Sequence, residues 1–279
     1  MASATEWFRC RLRLALLNLI ILALLPLLPA GCARPPWGSI IEGDPAIEIE
    51  QAYEQIISSQ QDCPPSWDAE IMVNWSSALS EQSFSGYIQV LLPAYFKLIV
   101  SNPLGQPLSV IAVTESRYQY LDAVNKSSTI GNLRSFVVRN DLSLALLEGP
   151  WMDWLGGRIG GAGRTISQIR ADTEARGVWL TIAEDHDNGR IFEHLLINQQ
   201  KQRITERVIV DEQAVPVLTV AYGEWLDFAG CLQPMQVAIT GLAYGTHGEL
   251  RFSEPARAEL TPAQFTLPIP PGYSRTLLP

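Results

Sequence analysis

Residues 178–222, VWLTIAEDHDNGRIFEHLLINQQKQRITERVIVDEQAVPVLTVAY, decide the fold. Four apolar segments, 178–182, 191–197, 204–210 and 217–222, are too short for helices and rich in β-branched side chains. Between them stand Asp187-Asn188-Gly189 and the polar runs 198–201 and 211–213, turn chemistry that joins neighbouring antiparallel strands. The segments therefore predict a meander. It continues through 232–239, 249–252 and 256–260.

Reading towards the N-terminus, the pattern changes twice. Residues 156–163 hold five glycines and read as a mobile connection. Before them, residues 128–157 place Leu133, Phe136, Val137, Leu142, Leu144, Leu146, Leu147, Trp151, Trp154 and Leu155 around Gly149-Pro150, which predicts two or three short helices. Further back, strands return. Trp67, Ala69, Ile71, Val73 and Trp75 alternate with polar residues, a hairpin turned at Pro93-Ala94 joins 84–92 to 95–100, and strands 107–113 and 118–121 follow the turn Asn102-Pro103-Leu104-Gly105. Asp44 caps and Pro45 opens a helix whose Ile49, Ala52, Ile56 and Ile57 recur at helical spacing to about Gln60. The fold class is mainly β, an α+β chain with one large antiparallel sheet curled around something.

The N-terminus speaks to location. Arg9, Arg11 and Arg13 precede an apolar run from Leu14 to Leu28, closed by Pro29-Ala30-Gly31-Cys32. This resembles a bacterial lipobox, which implies cleavage before Cys32 and acylation of its sulfur and freed amine. An ordinary signal peptide and a retained helix are the alternatives, although the run is short for a span of roughly 20 residues. Residues 1–31 are then a signal peptide, 32–44 a flexible tether and 45–279 a single domain. Ala33, where an Asp retains such proteins at the inner membrane, points to the outer membrane, lipid-anchored and facing the periplasm.

The whole chain of 279 residues carries a net charge of −9, and losing three Arg and one Glu with the signal leaves −11. Such acidity repels phosphate backbones and anionic head groups, so no nucleic acid is expected and membrane contact must be apolar. Of four cysteines, Cys63 and Cys231 remain unassigned. In an oxidising compartment they either bridge or stay as two buried thiols.

Catalytic signatures are thin. Glu184-Asp185-His186-Asp187 with Glu193-His194 is the best titratable cluster, and at an Asn-Gly turn it reads as a solvated tip rather than a metal site. No metal, cofactor or enzymatic activity is expected. The aromatic residues are more suggestive, since Trp67, Trp75, Trp151, Trp154, Trp179 and Trp225 fall on predicted strands and the helical insert. A curled sheet with helices across its mouth makes a lidded apolar pocket.

Residues 95–105, YFKLIVSNPLG, resemble the strand and Asn-Pro-Leu-Gly loop of LolB-like outer-membrane lipoprotein receptors, in the LolA/LolB lipoprotein-localisation superfamily. Trp154, Leu155 and Gly157 match its Leu-x-x-Trp-Ile-x-Gly segment, and Val220-Ala221-Tyr222-Gly223-Glu224-Trp225 with Pro234 is similar to its Val-x-Tyr-Gly-x-Tyr strand and following Pro. The resemblance implies an incomplete antiparallel β-barrel of about ten or eleven strands, with short helices as a lid over an apolar cavity. It assigns Trp75, Phe96, Leu98, Val100, Leu147, Trp151, Trp154, Leu155, Tyr222 and Trp225 to the cavity or lid. Asn102, Pro103, Leu104 and Gly105 become a loop that touches the membrane. The implied partners are lipoprotein acyl chains, a periplasmic LolA-like carrier and outer-membrane lipid, met by a monomer. Residues 265–273 extend beyond the receptor's usual end, and the rival reading is an anchored scaffolding lipoprotein with no transfer activity.

Overall fold

The computed structural model describes residues 36–77, 80–139, 150–160, 164–186, 189–211, 213–242 and 245–279, without the side chains of 184–186, 189–191 and 242. Residues 1–31, read above as a signal peptide, and Cys32 and Leu147 lie outside these residues. Among those described, no helix is long and apolar enough to cross a membrane.

Strand β1 (Trp37–Ile40) and helix α1 (Asp44–Gln60) lead into β2 (Ser66–Ser76), β3 (Glu81–Leu91), β4 (Tyr95–Ser101), β5 (Pro107–Val113), β6 (Arg117–Asp122) and β7 (Ser127–Asn132). Helices α2 (Leu133–Arg139) and α3 (Trp151–Leu155) follow. The chain then runs through β8 (Thr165–Asp172), β9 (Val178–His186), β10 (Gly189–Asn198), β11 (Arg203–Val210), β12 (Pro216–Phe228), β13 (Cys231–Leu242) and β14 (Thr246–Arg257). A 3-10 turn (Pro262–Phe265) and β15 (Ser274–Leu277) end it.

Among the described residues, fifteen strands form one open sheet in the order β1-β8-β9-β10-β11-β12-β13-β14-β2-β3-β4-β5-β6-β7-β15, antiparallel throughout except where β15 runs parallel to β7. The expected incomplete barrel is present, with more strands than ten or eleven. The difference has a local cause at each place. Residues 37–40, assigned to the tether, pair with β8, and residues 128–132, placed in the helical stretch, belong to Ser127–Asn132, which pairs with β6 and β15. β8 escapes the alternation test because its register shifts between Ile166 and Gln168, while a shift between Ser253 and Ala256 leaves β14 one strand that reads as two.

Alternation along the strands gives the sheet two unlike faces. Ile71, Ile88, Leu180, Ile182, Leu195, Ile197, Ile209, Leu218, Val220 and Val237 form the concave core, joined by Ile49, Tyr53 and Ile56 of α1 and Met152 and Trp154 of α3. The convex face carries a smaller cluster, Trp179, Leu196, Val208 and Val210, with Trp37 and Phe192 against it. Trp179 thus packs on the face opposite Trp67 and Trp154. Its Nε1 donates to Asp172 Oδ1 at 2.8 Å, and Trp37 stacks on His194 with centroids 4.4 Å apart.

The C-terminal residues cross the convex face of β4 to β6. There Lys97 Nζ donates to the Gln264 carbonyl, Leu267 N donates to Gln119 Oε1 at 2.7 Å, and Phe265 lies buried with its ring 5.6 Å from that of Tyr95. Cys63, just past α1, is bonded to Cys231 at the start of β13, with Cα atoms 5.2 Å apart.

Candidate lipid site: the concave face and its loop end

Register places one row of apolar side chains on the concave side of β2 to β6. Trp67, Ala69 and Ile71 face the core, so Val73 and Trp75 do too, and cross-strand pairing carries the face through Ile88–Leu98–Ile111–Tyr120, Val90–Phe96–Val113 and Gly86–Val100. Trp75, Phe96, Leu98 and Val100 are all half-buried. Phe96 and Leu98 pack against the core; Val100 and Trp75 lie on the same face towards the hairpin tips.

The other half of the concave face is occupied by the helix layer. Trp154 is 2 % exposed, Trp151 lies against it with ring centroids 5.0 Å apart, and Leu155 packs alongside. Tyr222 on β12 donates its hydroxyl to the Trp154 carbonyl at 2.6 Å and sits 5.9 Å from Trp225. Gly157, at φ 63°, lets α3 close on β12, since a Cβ there would stand 2.6 Å from the Trp225 ring. Residues 156–160 are therefore not the mobile link that their glycines predicted. Gln60 of α1 brackets them, donating to the Gly157 carbonyl at 3.2 Å and accepting from Ile159 N at 2.8 Å.

Charge lies within this layer, which hydrophobic patterning does not reveal. Arg207 is wholly buried on the concave side of β11, donating to Glu193 on β10 and to the Arg158 carbonyl just beyond α3. Arg164 donates to the other Glu193 oxygen at 2.6 Å, so one carboxylate joins two guanidinium groups. Burial works against charge on Arg207, yet the Glu193 carboxylate beside it holds its pKa above the ordinary value. Burial pushes the Asp153 carboxyl up, and Tyr53 and Tyr222 up to about 12. Several donors remain unmatched: Tyr53 Oη, Trp154 Nε1, Trp225 Nε1 and Arg207 Nε. Each buried orphan costs about 1 to 3 kcal/mol. Of the group read as a solvated tip, the side chains of Glu193 and His194 lie among the described residues, and Glu193 is buried in the ion cluster rather than solvated. Glu193 points inward and His194 outward, and among the described residues no acidic, His or Cys cluster is placed for a metal.

At the open end, Asn102 shapes the β4–β5 turn. Its Oδ1 accepts from Leu104 N and Gln106 N, each at 3.0 Å, its carbonyl accepts from Gly105 N at 2.9 Å, and Gly105 takes φ 78°. Leu104 is left 84 % exposed. The neighbouring β6–β7 turn repeats the device, with Asp122 accepting from Val124 N and from Asn125 N, and Val124 69 % exposed. Sequence reasoning missed Val124; the signal was an Asx residue two positions before an apolar one at both tips. Among the described residues there is also a cleft of about 380 Å³ beside the disulfide, lined by Asp62, Cys63, Pro64, Pro65, Ser66, Arg257, Ala258 and Glu259.

An open antiparallel sheet with helices packed on one face defines a class of fold, and solved structures resemble the chain in fold. No protein-family model and no curated protein matches the chain by sequence. A LolA superfamily protein from Nitrosomonas europaea superposes with a TM-score of 0.52 at 11 % identity, covering 77 % of this chain and 97 % of that one. An outer membrane lipoprotein-sorting protein domain from Vibrio parahaemolyticus gives 0.54 at 10 % identity, over 77 % and 94 %. A DUF1329 family protein from Desulfovibrio piger gives 0.54 at 10 %, over 78 % and 97 %. The chain thus has the LolA/LolB-like fold. At these identities the likeness is one of architecture.

Proposed function

We propose that the chain is an envelope lipoprotein, anchored through an acylated Cys32, that receives acyl chains of other lipoproteins from a periplasmic LolA-like carrier and inserts them into the outer membrane. The observation that carries this reading is the apolar concave row ending at two apolar tips, of which the Asn102–Gln106 turn has its backbone donors already satisfied and leaves Leu104 almost fully exposed. A satisfied backbone is what lipid contact demands. A leucine entering hydrocarbon gains roughly 1.5 to 3 kcal/mol, and a buried methylene about 0.8, so an apolar shelter and an apolar tip suffice without a catalytic group.

The test replaces Leu104 with Glu, in a chain loaded with a labelled lipoprotein and mixed with liposomes. Folding and acyl-chain uptake should match the wild type while transfer falls at least about tenfold, because a carboxylate resists entry into hydrocarbon. Transfer at the wild-type rate removes the loop assignment. The packing of α1 and α3 against half the concave face favours a second reading, an anchored scaffold. Absence of uptake of a fluorescent fatty acid by the intact chain decides for it.

A further inference from the structure

β15 is an open edge of the sheet: β7 lies on one side of it and, among the described residues, no strand lies on the other. Ser274 N donates to the Lys126 carbonyl at 2.9 Å and Leu278 N to the Ile130 carbonyl at 2.8 Å, so alternation turns the backbone N–H and C=O of Arg275 and Leu277 outward. All four β15 residues are exposed, Leu277 to 70 %. Helix α2 reaches the same edge, where its Ser135 hydroxyl donates to the Pro279 carbonyl and its Val138 stands exposed.

Charge singles this edge out. The chain has a net charge of −9, yet residues 117–139 and 274–277 hold Arg117, Lys126, Arg134, Arg139 and Arg275 against one acid, Asp122. All five basic residues are exposed, and the Asp122 carboxylate is taken up by the Val124 and Asn125 N–H groups of its own turn. The opposite edge, β1, has no charged residue. Two copies meeting at β15 would bring these cations together, and a charge on an edge strand guards against that pairing. A bilayer is ill matched as well, because unpaired N–H and C=O groups resist hydrocarbon. An extended segment rich in Asp or Glu answers both, since its backbone continues the sheet and its carboxylates meet the cations.

We propose that β15 and α2 form a docking edge for an acidic, extended segment of a partner protein, which adds as a strand beyond β15. Hydrogen bonds to Arg275 and Leu277 hold its backbone, and the five cations select its sequence and speed its arrival. The edge uses none of the residues assigned to acyl chains, so it stands or falls apart from that reading.

Fluorescence anisotropy decides it. The full-length chain, held in non-ionic detergent, is titrated into a short labelled peptide of alternating Glu and Thr, into its Lys-Thr counterpart, and into the Glu-Thr peptide N-methylated along its centre. The plain Glu-Thr peptide should bind at least about tenfold more tightly than either of the others. Leu277→Pro removes one outward N–H and leaves the β7 pairing and every charge in place, so it should weaken binding about tenfold. Arg134→Glu with Arg139→Glu should do the same through charge alone, and serves if the proline variant does not fold. A dissociation constant weaker than about 1 mM for the Glu-Thr peptide overturns the proposal. So does equal binding of the Glu-Thr and Lys-Thr peptides, undiminished binding of the N-methylated one, or unchanged affinity in the folded variants. A dimer that Leu277→Pro turns into monomers in sedimentation gives the edge to a second copy, and displacement of the peptide by phosphatidylglycerol but not phosphatidylcholine in the micelles gives it to anionic lipid; either result overturns it.

Discussion

Leu104 and Trp154 were both single residues picked out by motif, and their surroundings give them different duties. Leu104 stands free on a turn whose polar groups are consumed internally. Trp154 is a core residue as much as a lid residue, 2 % exposed among α1, β12 and Met152, so Trp154→Ala should lower stability by about 3 to 5 kcal/mol in a urea titration. A loss under about 1 kcal/mol would show a layer that opens freely. His194 gives a pH readout on the convex face. Burial, then the charge of Arg170, holds its pKa below the ordinary 6.5, with Glu193 opposing. The unfolded chain therefore binds the proton first as pH falls. Stability should be complete above about pH 7, decline through about 6.5 and below, and show a flatter profile in His194→Gln, measured by urea midpoints from pH 7.5 to 5. An identical slope in the variant would assign the decline to other groups.

Elements that alternate cleanly were readable, and those stabilised by partners were not. Val178–His186 and Arg203–Val210 announce themselves, since Leu180, Ile182, Val208 and Val210 separate onto two faces. Ser127–Asn132, SSTIGN, has almost no apolar content and is a strand because β6 and β15 flank it. Trp37–Ile40 is too short to show a period and follows Pro35-Pro36, so its pairing to β8 is purely a tertiary effect. Glycines misled in the same way: five in a row of eight suggest slack, whereas Gly157 and Gly160 are small because Trp225 and Asp153 press on them. The site row on β4 was legible from residues 95–105, but its charged neighbour was not, because Glu193 and Arg207 meet only through the β10–β11 register. The C-terminal extension is an element with a testable duty. Phe265→Ala should cost about 3 to 5 kcal/mol, and hydrogen exchange should rise in β4 to β6 beneath it. Exchange confined to residues 262–279 would make the extension an ornament.

At the scale of the whole molecule, the Cys63–Cys231 bond spans 168 residues of sequence and fastens the exit of α1 to the head of β13. A loop of that length restricts the unfolded chain strongly, so replacing both cysteines with Ser should remove about 4 to 5 kcal/mol under non-reducing conditions. Little change in the denaturation midpoint would mean that the sheet alone sets the unfolded ensemble. The order of strands has a further consequence, for the way the chain reaches its final state. β2 lies between β3, its neighbour in sequence, and β14, so Ile71 must find Phe252 across roughly 180 residues. A chain emerging from its N-terminus forms the β2-to-β7 ladder early, yet the long side of β2 stays bare until β14 arrives, with Trp67, Ile71 and Val73 uncovered beside unpaired backbone. Half-made molecules of this protein are thus adhesive by construction. The cell must either keep them apart until residue 257 is out or lose them to one another.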